Sequence, residues 1–99
     1  MTEQQVMKAH VISEHYGKTK QKMQAVQELS ELILVLARRK DQKKNRAQYI
    51  YDLIDEMADS LIMIEQIRQI YEINPIEIDA RINAKLNRQI GRIKEEEKV

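Results

Sequence analysis

The stretch Val26-Gln27-Glu28-Leu29-Ser30-Glu31-Leu32-Ile33-Leu34-Val35-Leu36 decides the fold. Val26, Leu29, Ile33 and Leu36 recur at intervals of three and four, the period of a helix and not the alternation of a strand. The pattern predicts a helix from about Lys20 to Arg39. Glu28 and Glu31, three residues apart, share one face of it and flank the apolar stripe. At ~100° per residue, Gln21, Gln24 and Val35 lie on the same side as these acids.

Working outward, the same grammar gives three more helices. Upstream, Thr2 with Gln5 three residues on forms a capping signal for a helix from about Glu3 to His15. Val6, Ala9 and Ile12/Ser13 give it a weak apolar stripe, and Gly17 stops it. Downstream comes a polar, basic break, Lys40 to Arg46. Asn45 with Gln48 then caps a third helix, from about Arg46 to Glu72, whose apolar face carries Ile50, Leu53, Met57, Leu61 and Ile64. Asn74-Pro75-Ile76-Glu77 is the strongest boundary, with an N-cap, a proline at the first helical position and an acid at the third. The last helix runs to about Lys94. The fourteen isoleucines favour strands by propensity, but they fall at helical spacing, and pattern outweighs propensity. The expectation is an all-α, four-helix protomer forming one domain over residues 1–99: an N-terminal helix (1–16), a core (17–94) and a frayed tail (95–99).

Composition narrows the function. With 2 Gly and 1 Pro, the chain lacks the turn residues of a multi-stranded fold. The absence of Cys excludes a disulfide framework, a thiolate metal site and a thiol nucleophile. A net charge of +1 argues against an overall basic nucleic-acid binder. Phe and Trp are absent, so the core is thin and points to an oligomer. Met1 to Lys8 is polar and lacks a signal-peptide core. The longest apolar run, Leu32 to Ala37, falls far short of the ~20 residues that span a bilayer. The expectation is a soluble, cytoplasmic protein with no membrane partner.

Asp52, Glu56 and Asp59 form a second acidic stripe, on the third helix, which Met63 and Ile70 continue as an apolar one. Two such stripes predict a groove where acids of facing helices meet. Gathering four or five carboxylates is unfavourable unless protons or a hard divalent cation cancel the charge. Mg²⁺ takes oxygen ligands, usually one or two carboxylates with water and substrate phosphates, so four acids suit a pair of ions. The alternative is a set of solvated acids, since Glu-x-x-Glu pairs are common on helix surfaces.

On these residues the chain resembles a family. Gln27-Glu28-Leu29-Ser30-Glu31-Leu32 is similar to the first metal-binding helix of the MazG-like nucleoside triphosphate pyrophosphohydrolases. Asp55-Glu56-Met57-Ala58-Asp59, continuing through Leu61 to Gln66, is similar to the second. The family pattern Glu-x-x-Glu, then Glu-x-x-Asp, is matched by Glu28, Glu31, Glu56 and Asp59, and related all-α dUTP and dCTP pyrophosphatases share it. Tyr16-Gly17 and Gln21 resemble the family's entry segment. The likeness runs from about Tyr16 to Arg92. One departure is Gln27, where many relatives carry a second glutamate. The resemblance implies Mg²⁺-dependent (or Mn²⁺-dependent) hydrolysis of a nucleoside triphosphate to a monophosphate and pyrophosphate. Glu28, Glu31, Glu56 and Asp59 would be metal and catalytic residues, and Tyr16 and Gln21 would approach the base. It also implies a helical bundle built across a homodimer or homotetramer, with sites drawing on both chains.

On the last helix Arg81, Lys85, Arg88 and Arg92 form a cationic stripe beside an apolar one, Ile78, Ile82, Leu86, Ile90 and Ile93. It reads either as the solvated face of an amphipathic helix, with Arg81 paired to Glu77, or as a clamp in which Lys85 and Arg88 hold a triphosphate. The resemblance favours the clamp. The basic cluster Arg38, Arg39, Lys40, Lys43, Lys44 and Arg46 lacks interleaved aromatics and reads as a solvated loop. His10 and His15 are poorly spaced for one metal, and His15 reads as a pocket wall. Two rival readings stand beside the enzyme. One is a helical interaction module using the isoleucine-rich last helix. The other is a small nucleic-acid-associated factor using the basic loop and that helix, which the charge balance disfavours.

Overall fold

Thr2 opens the chain's first helix with the reciprocal pair of hydrogen bonds that its spacing from Gln5 predicts: Gln5 N–H donates to Thr2 Oγ1 at 3.1 Å and Thr2 N–H to Gln5 Oε1 at 2.8 Å. The computed structural model describes residues 1–38 and 45–98, in four helices: α1 (Glu3–Tyr16), α2 (Lys18–Ala37), α3 (Arg46–Ile70) and α4 (Pro75–Glu97). The protomer is therefore all-α and four-helical, as its periodicity predicts. The basic cluster at Arg39, Lys40, Lys43 and Lys44 lies outside the described residues. Asn45 and Asn74 cap α3 and α4 through their side-chain oxygens, accepting from Ala47 N–H at 2.9 Å and Ile76 N–H at 3.0 Å.

Gly17 both ends α1 and begins α2. Its φ of +86° is closed to most side chains but open to glycine, so one residue serves both helices and α2 starts earlier than Lys20. At the other end α4 extends to Glu97, past the expected fraying point. Among the described residues no helix is long and apolar enough to cross a membrane.

α2 and α3 form an antiparallel hairpin. Early α2 meets late α3, where Gln21 bonds Gln66 at 2.8 Å; late α2 meets early α3, where Arg38 bonds Asp52 at 2.9 Å. The face of α2 turned to α3 carries Gln21, Ala25, Glu28, Glu31, Leu32 and Val35, all buried or half-buried. On α3 the facing positions are Asp52, Glu56, Asp59, Met63, Gln66 and Ile70, again buried or half-buried. Their spacing averages about 3.5 residues, which keeps one seam facing a partner helix along its length. α1 lies across this hairpin, burying Ala9 and Ser13.

The apolar stripes read from the periodicity face outward. Val26, Ile33 and Leu36 of α2 are 68%, 64% and 59% exposed, and Met57, Leu61 and Ile64 of α3 are among the large apolar side chains open to solvent. The apolar side chains buried among the described residues are Ala9, Ala25, Val35 and Met63. α4 leaves the bundle. No described residue of α4 is buried, and its first turn meets the hairpin at a shallow apolar groove lined by Leu29, Ile64, Ile67 and Ile78. With α4 projecting, the Cα radius of gyration is 17.2 Å, against about 13 Å for a compact domain of this length.

Candidate metal centre

Because the hairpin is antiparallel, Glu28 of α2 faces Glu56 and Asp59, which are one turn apart on α3. A carboxylate oxygen from each lies within 4.8 Å of the other two. All three side chains are half-buried. Glu31, one turn further along α2, stands beside the trio, close enough for its charge to act on Glu28 and Glu56, but outside the group that closes to 4.8 Å.

The trio bears the electrostatic mark of crowding. Burial, then the charges of Asp59 and Glu31, push the Glu28 carboxyl above the ordinary glutamate range; a hydrogen bond from Gln24 Nε2, at 2.8 Å, offsets part of this. Glu56 is raised too, by burial first and then by Glu31, Asp59, Glu28 and Asp55. One of its oxygens, Oε2, is buried and has no hydrogen-bond partner among the described residues. A carboxylate oxygen so placed loses hydration without gaining a donor, an arrangement that a proton or a cation relieves.

Asp52 continues the stripe but is differently engaged. It accepts from Gln48 Nε2 and Arg38 Nη1, both at 2.9 Å, and these bonds, Gln48's first, hold its carboxyl below the usual range. Its negative charge is already answered.

Beside the trio is a cleft of about 680 Å³ between α1, α2 and α3, lined by Tyr16, Lys20, Gln21, Glu28, Asp59 and Met63 among others. Tyr16 and Gln21 thus share one cavity with two of the acids. Tyr16 is 54% exposed and meets His15 edge-on, ring centroids 4.7 Å apart. His15 does not line the cleft, and His10 lies 3.8 Å from Glu14.

Lys85 and Arg88 are placed elsewhere. Both stand exposed on the projecting α4 and neither lines the cleft. Arg81, Lys85, Arg88 and Arg92 form no ion pair among the described residues, so the pairing of Arg81 with Glu77 is not made.

Two residues enter the site in roles that periodicity does not reveal. Gln24 falls on the acidic side of α2 by spacing, and the structure adds its bond to Glu28. Gln66, the most buried large side chain at 1% exposure, lines the cleft and bonds Gln21. Its signal is its position, three residues beyond Met63 on the acidic stripe. Comparison of the chain with protein-family models, with curated protein sequences and with solved structures gives no match.

Proposed function

We propose that this chain is a nucleoside triphosphate pyrophosphohydrolase of the MazG-like kind, acting with Mg²⁺ or Mn²⁺. The observation that carries the reading is the meeting of Glu28, Glu56 and Asp59 within 4.8 Å, with one Glu56 oxygen buried and without a hydrogen-bond partner among the described residues, beside a nucleotide-sized cleft. The donor set fits a hard divalent ion, since it is all oxygen, anionic and half-open to water and phosphate. Glu28, Glu56 and Asp59 would hold the ion, with Glu31 beside them for a second. Such an ion, when bound, supplies an activated water and neutralises charge on the phosphoryl group. The chain's own groups do the rest. Tyr16 and Gln21 receive the base, Lys20 at the cleft wall meets phosphate, and a carboxylate of the group left unligated orients the attacking water.

The exposed apolar stripes favour a second element of the reading, a homodimer or homotetramer. Ile78, Ile82, Leu86, Ile90 and Ile93 line one side of α4 and all are exposed, a continuous apolar stripe of the kind that marks an interaction surface. Lys85 and Arg88 lie on the same helix. A second copy docked along α4 would cover the stripe and carry these cations toward an acidic site, where arginine grips phosphate oxygens bidentately. A purely interacting module shares the apolar stripe but gives no reason for the acids to meet.

The test is pyrophosphate release from a panel of nucleoside triphosphates with Mg²⁺. Release from at least one nucleotide, abolished by chelator and lost in Glu56→Gln, is expected. No release from any nucleotide, or unchanged release in that variant, overturns the enzyme reading.

A further inference from the structure

The most deeply buried polar side chain at the cleft is an amide, not an acid. Gln66 is used at both ends: Nε2 donates to the Ala9 carbonyl at 3.2 Å, and Oε1 accepts from Gln21 Nε2 at 2.8 Å. A backbone carbonyl only accepts, so Gln66 must turn its nitrogen to α1 and its oxygen to Gln21. That commits one Gln21 N–H to Gln66 and leaves Gln21 Oε1 without a protein donor among the described residues. Gln21 is itself 4% exposed and lines the cleft. A lone glutamine amide flips at little cost; one anchored through a second amide to a carbonyl does not.

We propose that Gln66 is a positioning residue for nucleobase selection: by fixing the polarity of Gln21 from behind, it makes the cleft require an N–H donor on the edge of the base. The inference rests on the nucleotide reading above and adds to it. The ligand class is a nucleoside triphosphate whose base offers a ring or exocyclic N–H to Gln21 Oε1, between the Tyr16 and Met63 walls. An analogue that lacks this donor leaves the Gln21 oxygen without its hydrogen bond and is disfavoured by about the worth of that bond.

The experiment compares three substrates under Mg²⁺: the best nucleotide of the panel, the same nucleotide with its edge N–H groups blocked by methylation, and ribose triphosphate without a base. Wild-type protein is expected to show KM raised about tenfold by methylation, the worth of one ordinary hydrogen bond left unmade. Gln66→Met, close in volume but without the amide, is expected to raise KM for the parent nucleotide by a similar factor. It should no longer tell the parent from its methylated form, and its KM for ribose triphosphate should rise much less. If Gln66→Met does not fold, Gln21→Met is judged by the same ratios, and the wild-type comparison needs no variant. Indifference of the wild type to methylation, or an equal rise for base-bearing and base-free substrates, overturns this inference while leaving the hydrolase intact. Failure to hydrolyse any nucleotide overturns both.

Discussion

Replacing Glu28 by glutamine should make the metal-free protein more stable and the metal-loaded protein less so. That reversal of sign follows from three carboxylates that repel one another without metal and share an ion with it. The side chain keeps its shape and still offers Gln24 an oxygen at the place where Oε1 now accepts at 2.8 Å. Only the charge is lost. Two unit charges at the 4.8 Å that bounds the trio repel by about 3.5 kcal/mol at an effective dielectric of 20 and by about 0.9 kcal/mol in water. Glu28 is half-buried and water screens it, so the lower end applies, about 1 kcal/mol. Unfolding entropy near 2.1 cal/mol/K per residue gives about 0.2 kcal/mol/K for 99 residues, so Tm in chelator should rise by about 5 °C. An ion that binds only the folded wild type contributes about 2.7 kcal/mol at a hundred times its Kd, or about 13 °C. The variant, short of one ligand, should gain less than a third of that at the same Mg²⁺ concentration. The assay is differential scanning fluorimetry or calorimetry at one fixed protein concentration, with chelator and with Mg²⁺ or Mn²⁺. A Tm in chelator that falls in Glu28→Gln, or an ion-dependent gain as large as the wild type's, refutes the reasoning.

The pH dependence should carry the same signature. Glu28 and Glu56 are raised above the ordinary glutamate value, so between that value and their own the folded state binds more protons than the unfolded, and stability rises as pH falls. Asp52 and Glu65 are held low, Glu65 chiefly by its bond from Arg68, and their stabilisation is lost only at more acidic pH, as it falls toward their own lowered values. Metal-free protein should therefore be most stable at mildly acidic pH, and excess Mg²⁺ should move the maximum toward neutrality, because ligation needs the carboxylates ionised. A flat metal-free profile between neutrality and that point would contradict the crowding of the trio. For the oligomer, Leu86→Asp puts a charge in the middle of the exposed α4 stripe. Sedimentation should show wild-type protein well above its protomer mass of 11.8 kDa and the variant near it, with helix content unchanged; a wild type already at the protomer mass removes the oligomer from the reading.

Helix existence and ends are legible in the sequence because they are written in short-range chemistry. Thr2, Asn45 and Asn74 each place a side-chain oxygen on a free N–H, Pro75 needs no donor in the first turn, and Gly17 takes a φ that side chains avoid. The meeting of the acids is legible as well, from two stripes of matching spacing. What periodicity alone does not reveal is that the apolar stripe beside the acids stays on the outside of the protomer. Val26, Leu29, Ile33 and Leu36 make the better apolar stripe on α2, yet the seam with α3 runs through Gln21, Glu28, Glu31 and Val35. An apolar stripe at helical spacing marks a helix, and says nothing about whether a cover for it lies in the same chain. Gln66 is hidden for a related reason: a glutamine in a helix is ordinarily a surface residue, and its burial depends on a carbonyl 57 residues away.

That inversion explains how a hairpin can hold acids at its centre. The two ends of the α2–α3 seam are closed by pairs that keep their bonds without any ion, Gln21 with Gln66 at one end and Arg38 with Asp52 at the other. Between them the helices are held at a fixed distance whether or not Glu28, Glu56 and Asp59 repel one another. A seam of leucine and isoleucine would grip more strongly but leave no room for a charged ligand. The apolar residues that such a seam would have used are placed on the outer faces, where they contribute only once another surface excludes water from them. The proposed site and the proposed assembly would then be two results of one choice of stripe: giving the seam to carboxylates leaves the hydrophobic faces on the outside of the protomer. A substitution that strengthened the isolated protomer by making Glu28 or Asp59 apolar would remove a carboxylate of the trio on which the proposed metal site rests.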